Sequence, residues 1–169
     1  DGPTAAGKTT LADNLSIRLK KKFNVFTFRL DWTLKNRKFR EDSLKNFKTF
    51  KKDFYFEAED HMNLNKTEEF LKTIKLFNKS NKKEISLVLD NLYDRFGSAK
   101  TDLKVKVKIN RNTIIFVEGH YSGYQNIYEH LDYNILLLSS RKELLKRKIS
   151  RVKNYRSSDE TSKYFNLID

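Results

Sequence analysis

Residues 2 to 9 read Gly2-Pro3-Thr4-Ala5-Ala6-Gly7-Lys8-Thr9 and satisfy the pattern G-x-x-x-x-G-K-[ST] at every fixed position. Each fixed residue type has a physical task in holding a phosphate chain. The glycines let the backbone wrap an anion so that several N–H groups point inward, the Lys8 ammonium reaches β- and γ-phosphates, and the Thr9 hydroxyl ligates a magnesium ion. A helix that begins directly afterwards adds the positive end of its dipole. The candidate nucleotide-binding set is therefore Gly2, Pro3, Thr4, Ala5, Ala6, Gly7, Lys8, Thr9 and the following Thr10.

A phosphate loop alone does not select a reaction, and the next residues to weigh are acids and bases elsewhere in the chain. Asp31 closes the apolar run from Val25 to Leu30, and Glu118 closes the run from Thr113 to Val117 and is followed by Gly119. If both runs are strands, both carboxylates reach the carboxyl edge of a sheet, where open α/β proteins bind ligands. With Thr9 and Lys8 they would surround a transferring phosphoryl group, a chemistry that needs mainly positioning and charge neutralisation. The plainer alternatives are a helix cap for Asp31 and a surface acid for Glu118. A third constellation is basic: Lys148 and Arg151 lie one helical turn apart, and Arg156 follows. A basic segment of this kind either closes over a nucleotide or is a solvated lysine-rich helix. His120, next to Glu118-Gly119, contacts an acceptor or simply packs. In the acidic run Glu57 to His61, either Glu59 or Asp60 holds hydroxyls of an acceptor or the run is an exposed acidic helix face, and Trp32, beside Asp31, either walls an acceptor pocket or packs under the sheet edge.

Positioning these groups requires an alternation of helices and strands. Leu11, Leu15 and Leu19 recur at helical spacing within residues 8–22, and Phe70, Leu71, Ile74 and Phe77 predict a second helix over 67–77. Strands are expected at 25–30, 84–92, 113–117 and 133–138, the last two as buried parallel strands. Leu103, Val105, Val107 and Ile109 alternate with lysines up to the turn-like Asn110-Arg111-Asn112, which predicts a half-exposed strand. A last helix is expected from Lys142 to about Arg151. The class that follows is α/β, a P-loop three-layer sandwich with a mainly parallel sheet flanked by helices. The chain opens directly on its glycine motif, so the expectation is a single domain over 1–169 with its first strand truncated and a lid-like segment at about 146–160.

The chain has 169 residues, 38% of them apolar, enough for one domain with a core. No apolar run is long enough to cross a bilayer. The absence of cysteine excludes thiolate catalysis, iron–sulfur clusters and cysteine zinc sites, and suits a reducing, cytoplasmic setting. Lys plus Arg number 35 against 22 Asp plus Glu, a net charge of +13. Such a field attracts any polyanion. Lys8, Lys148, Arg151 and Arg156 have a nucleotide to meet, however, and the remaining lysines are spread along the chain, which makes nucleic acid and membrane poor expectations.

Taken together, the pieces GPTAAGKTT at 2–10, RLDW at 29–32, LYDRFGSAK at 92–100, FVEGHY at 116–121 and K-x-x-R-x-x-x-x-R at 148–156 resemble, in their order, the uridine kinase and phosphoribulokinase group of P-loop kinases. The resemblance implies transfer of the γ-phosphoryl group of ATP, with Mg2+, to a hydroxyl of a small, nucleoside- or sugar-like acceptor. By position it implies that Asp31 is general base and metal-side acid, Glu118 the second metal-side acid and Tyr93 an acceptor-site wall. Lys8, Arg151 and Arg156 take catalytic roles, with Lys148 as a lid cation on the nucleotide. Ser98 stands where nucleoside kinases of the group carry a histidine, and Lys148 where they carry an arginine, so that cation acts as a point charge. The alternatives are a P-loop tRNA prenyl transferase, whose loop wording is similar but whose D-S-x-Q motif is here Asp31-Trp32-Thr33, and a basic NTPase acting on nucleic acid. Self-association is open.

Overall fold

The computed structural model describes residues 1–3, 5–40, 42, 61–94, 98 and 100–155, with backbone alone for 151–155. Its elements in chain order are helix α1 (Lys8–Leu19), strand β1 (Asn24–Arg29), a 3₁₀ turn (Leu30–Thr33), helix α2 (Asn65–Lys79), strands β2 (Glu84–Leu92), β3 (Leu103–Asn110) and β4 (Thr113–Glu118), a short helix α3 (Gln125–Tyr128) and helix α4 (Arg141–Tyr155).

β1 and β4 pair in parallel, from Asn24 opposite Thr113 to Arg29 opposite Glu118. That register brings the two strand ends level, and therefore sets Leu30-Asp31 beside Glu118-Gly119. Alternation of side chains across the sheet separates its two faces. On one face Thr27 shares a hydrogen bond with Ser16 of α1 at 3.2 Å. On the other, the Phe28 ring stacks on Phe70 of α2 at 4.9 Å and meets Trp32 edge-on at 5.7 Å. Helix, sheet and helix thus form three layers. The core gathers on the α2 side around the fully buried Phe28, Leu30 and Ile127, with Ile109 of the hairpin. Burial of each such side chain contributes about 1.5–3 kcal/mol. Trp32, for which sequence left two readings, packs on this core.

β2 and β3 form an antiparallel hairpin with Ile85 opposite Ile109 and Leu87 opposite Val107 on its core face. Lys104, Lys106 and Lys108 line the exposed face, as their alternation predicts. A register shift between Leu89 and Leu92 leaves Asn91 at φ 50°.

Several boundaries differ from expectation. α2 starts at Asn65, ahead of Thr67, because Thr67 is needed inside: it is fully buried. In α1 the buried positions are Ala12 and Ser16, between the expected leucines. β4 is half-buried along its whole length where a buried strand was expected. The reason is a cavity of about 110 Å³ lined by Leu11, Leu15, Ile115, Val117, Ile135 and Leu137, among others. Residues 133–138 form no strand, and Tyr133, Ile135, Leu136 and Leu138 are exposed. An extended segment becomes a strand only with a hydrogen-bonding neighbour. Among the described residues the backbone bonds of this segment run to Asp1, whose amino group donates to the Ile135 carbonyl at 2.7 Å and whose carbonyl accepts from Leu137 N–H at 2.9 Å.

Candidate active site

The loop before α1 has the backbone its glycines foretell. Gly2, Ala5 and Gly7 take φ values of 140°, 66° and 96°, all in the region that favours glycine. Gly2 also meets a spatial demand, since a Cβ there would overlap the carbonyl oxygen of Leu137. The Lys8 ammonium folds back across the loop and donates to the carbonyls of Gly2 at 2.8 Å and Pro3 at 2.9 Å. Those two bonds hold the lysine over the mouth of the loop, where phosphate oxygens would replace carbonyls as its partners. Thr4 lies outside the described residues.

The Thr9 hydroxyl donates to the Glu118 carboxylate, at 3.2 and 3.3 Å to its two oxygens. The loop and the end of β4 therefore meet directly. Burial first, and the neighbouring negative charge of Asp31 second, push the Glu118 carboxyl above the usual range, against the opposing pull of Thr9, Arg29 and Lys8. Two carboxylates that repel each other beside a hydroxyl form a donor set that suits a divalent cation of the magnesium type, with oxygen ligands only. Among the described residues no group of three or more His, Asp or Glu side chains converges. A cation here would rest on Thr9, Asp31, Glu118 and the phosphates.

Asp31 is held by its turn. Its carbonyl accepts from Leu34 N–H, the Trp32 carbonyl from Tyr93 N–H at 2.7 Å, and the Thr33 carbonyl from Asn63 N–H at 2.7 Å. Gly119 completes the placement: a Cβ there would overlap the side chain of Leu30, so only glycine lets β4 end this close to the turn. His120 lies in the same cluster, with Nδ1 3.3 Å from the Gly2 carbonyl, and burial holds its imidazole below the ordinary range. The structure thus brings together Lys8, Thr9, Asp31, Glu118 and His120. Tyr93 adjoins them through Trp32, but its ring is buried and roofed by the Arg40 guanidinium, 5.0 Å from the ring centre. Arg151 lies within α4 without a described side chain, and Arg156 lies outside the described residues, as do Glu59 and Asp60.

The model of the Phosphoribulokinase / Uridine kinase family matches residues 1–163. The chain belongs to that family. As a family member it is a P-loop kinase that uses a nucleotide and a small-molecule substrate. Among solved structures, a candidate fructose transport system kinase from Silicibacter sp. TM1040 superposes with a TM-score of 0.62 at 15% identity, over 95% of this chain and 74% of that one. At that identity the likeness concerns the fold. A candidate uridine kinase from Bacillus stearothermophilus gives a TM-score of 0.47 at 18% identity, over 92% of this chain and 77% of the other. No curated protein matches the chain. Among the described residues no helix is long and apolar enough to cross a membrane.

Two features of this kinase-family site escape sequence reading. Arg147 turns toward the loop: it is paired with Glu143 at 2.8 Å and donates to the Ala5 carbonyl at 3.5 Å, while the charge of its neighbour Lys148 adds to burial in holding the His120 imidazole down. Helical phase places Arg147 beside Glu143, four residues earlier, but gives no sign of the loop it meets. The second feature is the contact of Tyr121 with His61, hydroxyl to Nε2 at 3.2 Å, across 60 positions of sequence. No local signal announces it. The His61 carbonyl in turn accepts from Lys35 N–H at 2.8 Å, so this contact ties the chain after Asp31 to the chain after Glu118.

Proposed function

We propose that the chain is one kinase domain that transfers the γ-phosphoryl group of ATP to a hydroxyl of a small, sugar-like acceptor. The observation that carries the reading is the meeting of the phosphate loop with the end of β4, Thr9 bonded to Glu118, whose carboxyl is pushed up by burial first and by the neighbouring charge of Asp31 second. In the proposed reaction the acceptor oxygen forms a bond to the γ-phosphorus while the bond to the β,γ-bridging oxygen breaks and ADP leaves. The hydroxyl proton passes to Asp31 as general base. Lys8 exchanges its carbonyl partners for β- and γ-phosphate oxygens, and backbone N–H groups of the loop, those of residues other than Pro3, hold the rest of the phosphate chain. A magnesium ion on Thr9, Glu118 and Asp31 would neutralise charge on those phosphates. Lys148, Arg151 and Arg156 act from the lid-like segment at 146–160, excluding water and meeting developing negative charge. Tyr93 and His120 border the acceptor.

The family match favours this reading over the prenyl transferase. A basic NTPase on nucleic acid draws support from the lysines of β3, but one of them, Lys108, is already paired with Glu84 at 2.8 Å. The deciding experiment couples ATP consumption to a panel of nucleosides, sugars, sugar phosphates and hydroxy acids. Asp31→Asn is expected to lower turnover by about 10²–10⁴-fold with ATP affinity retained. Loss of ATP binding in that variant would make Asp31 structural, and ATP use that no acceptor stimulates would refute the kinase reading.

A further inference from the structure

Residues 119–123, which follow β4, run alongside the first residues of the phosphate loop. At one end of this run Gly119 packs on Leu30; at the other Gly123 packs on Asp1, where a Cβ would overlap the Asp1 carboxylate. Between them His120 places Nδ1 3.3 Å from the Gly2 carbonyl oxygen. A carbonyl oxygen only accepts, so Nδ1 carries the hydrogen and donates it. We propose that His120 is a positioning residue of the phosphate loop: through Nδ1 it holds the Gly2 carbonyl when Lys8 leaves that carbonyl for the nucleotide. The inference rests on the kinase reading and adds to it a residue that acts on ATP through the loop.

The Lys8 ammonium is shared by two loop carbonyls, those of Gly2 at 2.8 Å and Pro3 at 2.9 Å. Each of the two has a second donor already in place. For Pro3 it is the Ala6 N–H at 3.2 Å, which belongs to the loop itself. For Gly2 it is His120, which reaches in from the end of β4. A carbonyl oxygen has two lone pairs, so both donors fit at once. Movement of Lys8 onto β- and γ-phosphate oxygens then takes one bond from each carbonyl and leaves one. Without His120, Gly2 would give up its last donor among the described residues, and an orphaned carbonyl would weigh against the nucleotide-bound loop.

Gly2 is a residue that needs holding. Its φ of 140° suits glycine, and glycine has the most backbone freedom to lose when a loop is fixed. Its N–H is tied to the Asp1 carboxylate at 2.7 Å, and the Leu137 carbonyl closes its Cα side, so the remaining handle on this residue is its carbonyl. His120 is itself anchored. Its ring meets that of Tyr121 edge to face with centres 4.6 Å apart, and the Tyr121 hydroxyl lies 3.2 Å from His61 Nε2. A ring held in this way has little rotamer freedom left to lose when it bears the carbonyl alone.

Three variants of the intact protein separate this hydrogen bond from packing. The amide nitrogen of an asparagine stands close to where Nδ1 stands, that of a glutamine reaches toward the place of Nε2, and leucine fills the space with no donor. Calorimetric titration with ATP is expected to show affinity lowered about three- to tenfold in His120→Leu and His120→Gln and largely restored in His120→Asn, with circular dichroism melts confirming that each variant folds. In coupled assays His120→Leu should raise KM for ATP more than it lowers kcat. Parent-like ATP affinity in the folded His120→Leu protein, or a loss in His120→Asn as large as in His120→Leu, would overturn the inference. If His120→Leu does not fold, equal ATP affinities in His120→Asn and His120→Gln would overturn it too. A raised KM for the acceptor with ATP affinity unchanged would assign His120 to the acceptor alone, refuting the loop role and leaving the kinase reading intact. ATP bound by the parent without transfer to any acceptor would refute the kinase reading, with the ATP affinities of the variants still deciding the loop. A parent protein that binds no ATP would overturn both.

Discussion

The contact between Gly119 and Leu30 offers the sharpest test of how the two acids are placed. A Cβ added to Gly119 would lie 2.7 Å from Leu30 Cδ1 and 2.9 Å from Cγ, and closer still to its Cβ. Carbon atoms rest at about 3.5–4.0 Å, so relief in Gly119→Ala requires a separation of about 1 Å. Leu30 has no room to retreat, because it is fully buried against the Phe28 core. The displacement must therefore fall on the backbone, and the backbone on either side of this contact carries Asp31 and Glu118. Overpacking of this kind costs about 1–3 kcal/mol. In a chain of this size each kcal/mol lowers Tm by about 2–4 °C, so a drop of about 2–12 °C is expected in thermal melts. Misplacement of catalytic groups by 1 Å costs about 10²-fold, and kcat in the coupled assay should fall by that order. The loop is built from residues 2–9 and does not use this contact, so ATP affinity should change little. A Gly119→Ala protein with unchanged Tm and kcat would refute the claim that close approach at this glycine sets the carboxylates, and equal losses of ATP affinity and kcat would mean that the damage is general.

Two further outcomes follow from the same geometry. The raised Glu118 carboxyl keeps in the folded state a proton that the unfolded chain releases near its ordinary value of 4.5, so the cation-free protein loses stability as pH rises from there through the raised value. Glu118→Gln removes that loss, and its urea midpoint should gain on the parent's between about pH 4 and pH 8 while transfer is lost; a constant difference across that range would show that the acid is not shifted. Phe28→Ala deletes a fully buried ring stacked on Phe70 and should cost about 3–5 kcal/mol in urea denaturation, whereas a cost under about 1 kcal/mol would place the core elsewhere.

What could be read from the sequence divides by the range of the interactions involved. The phosphate loop, the hairpin strands and α2 are legible because their signals are local: glycines that need positive φ, alternation at period two, an apolar stripe at helical spacing. Asp31 and Glu118 are legible as strand-end residues, since a strand's carboxyl end needs only the strand to be found. Their mutual effect is a different matter. It depends on the parallel register of β1 with β4, pairing Arg29 with Glu118 across 89 positions, which no local pattern encodes. The same range limit hides the Tyr121–His61 contact and the approach of His120 to the Gly2 carbonyl. It also explains the failed strand at 133–138. The apolar run there has the composition of a strand, but composition supplies only a preference, and the hydrogen-bond ladder comes from a neighbour. Among the described residues the backbone bonds of this segment run to Asp1, and Leu136 and Leu138 are exposed. The acids of the site escape this failure because each is fixed twice: Glu118 by its ladder with β1 and by Thr9, Asp31 by its 3₁₀ turn and by the bonds of that turn to Asn63 and Tyr93. A residue whose place is read from a local pattern keeps that place here where a second, independent contact fixes it.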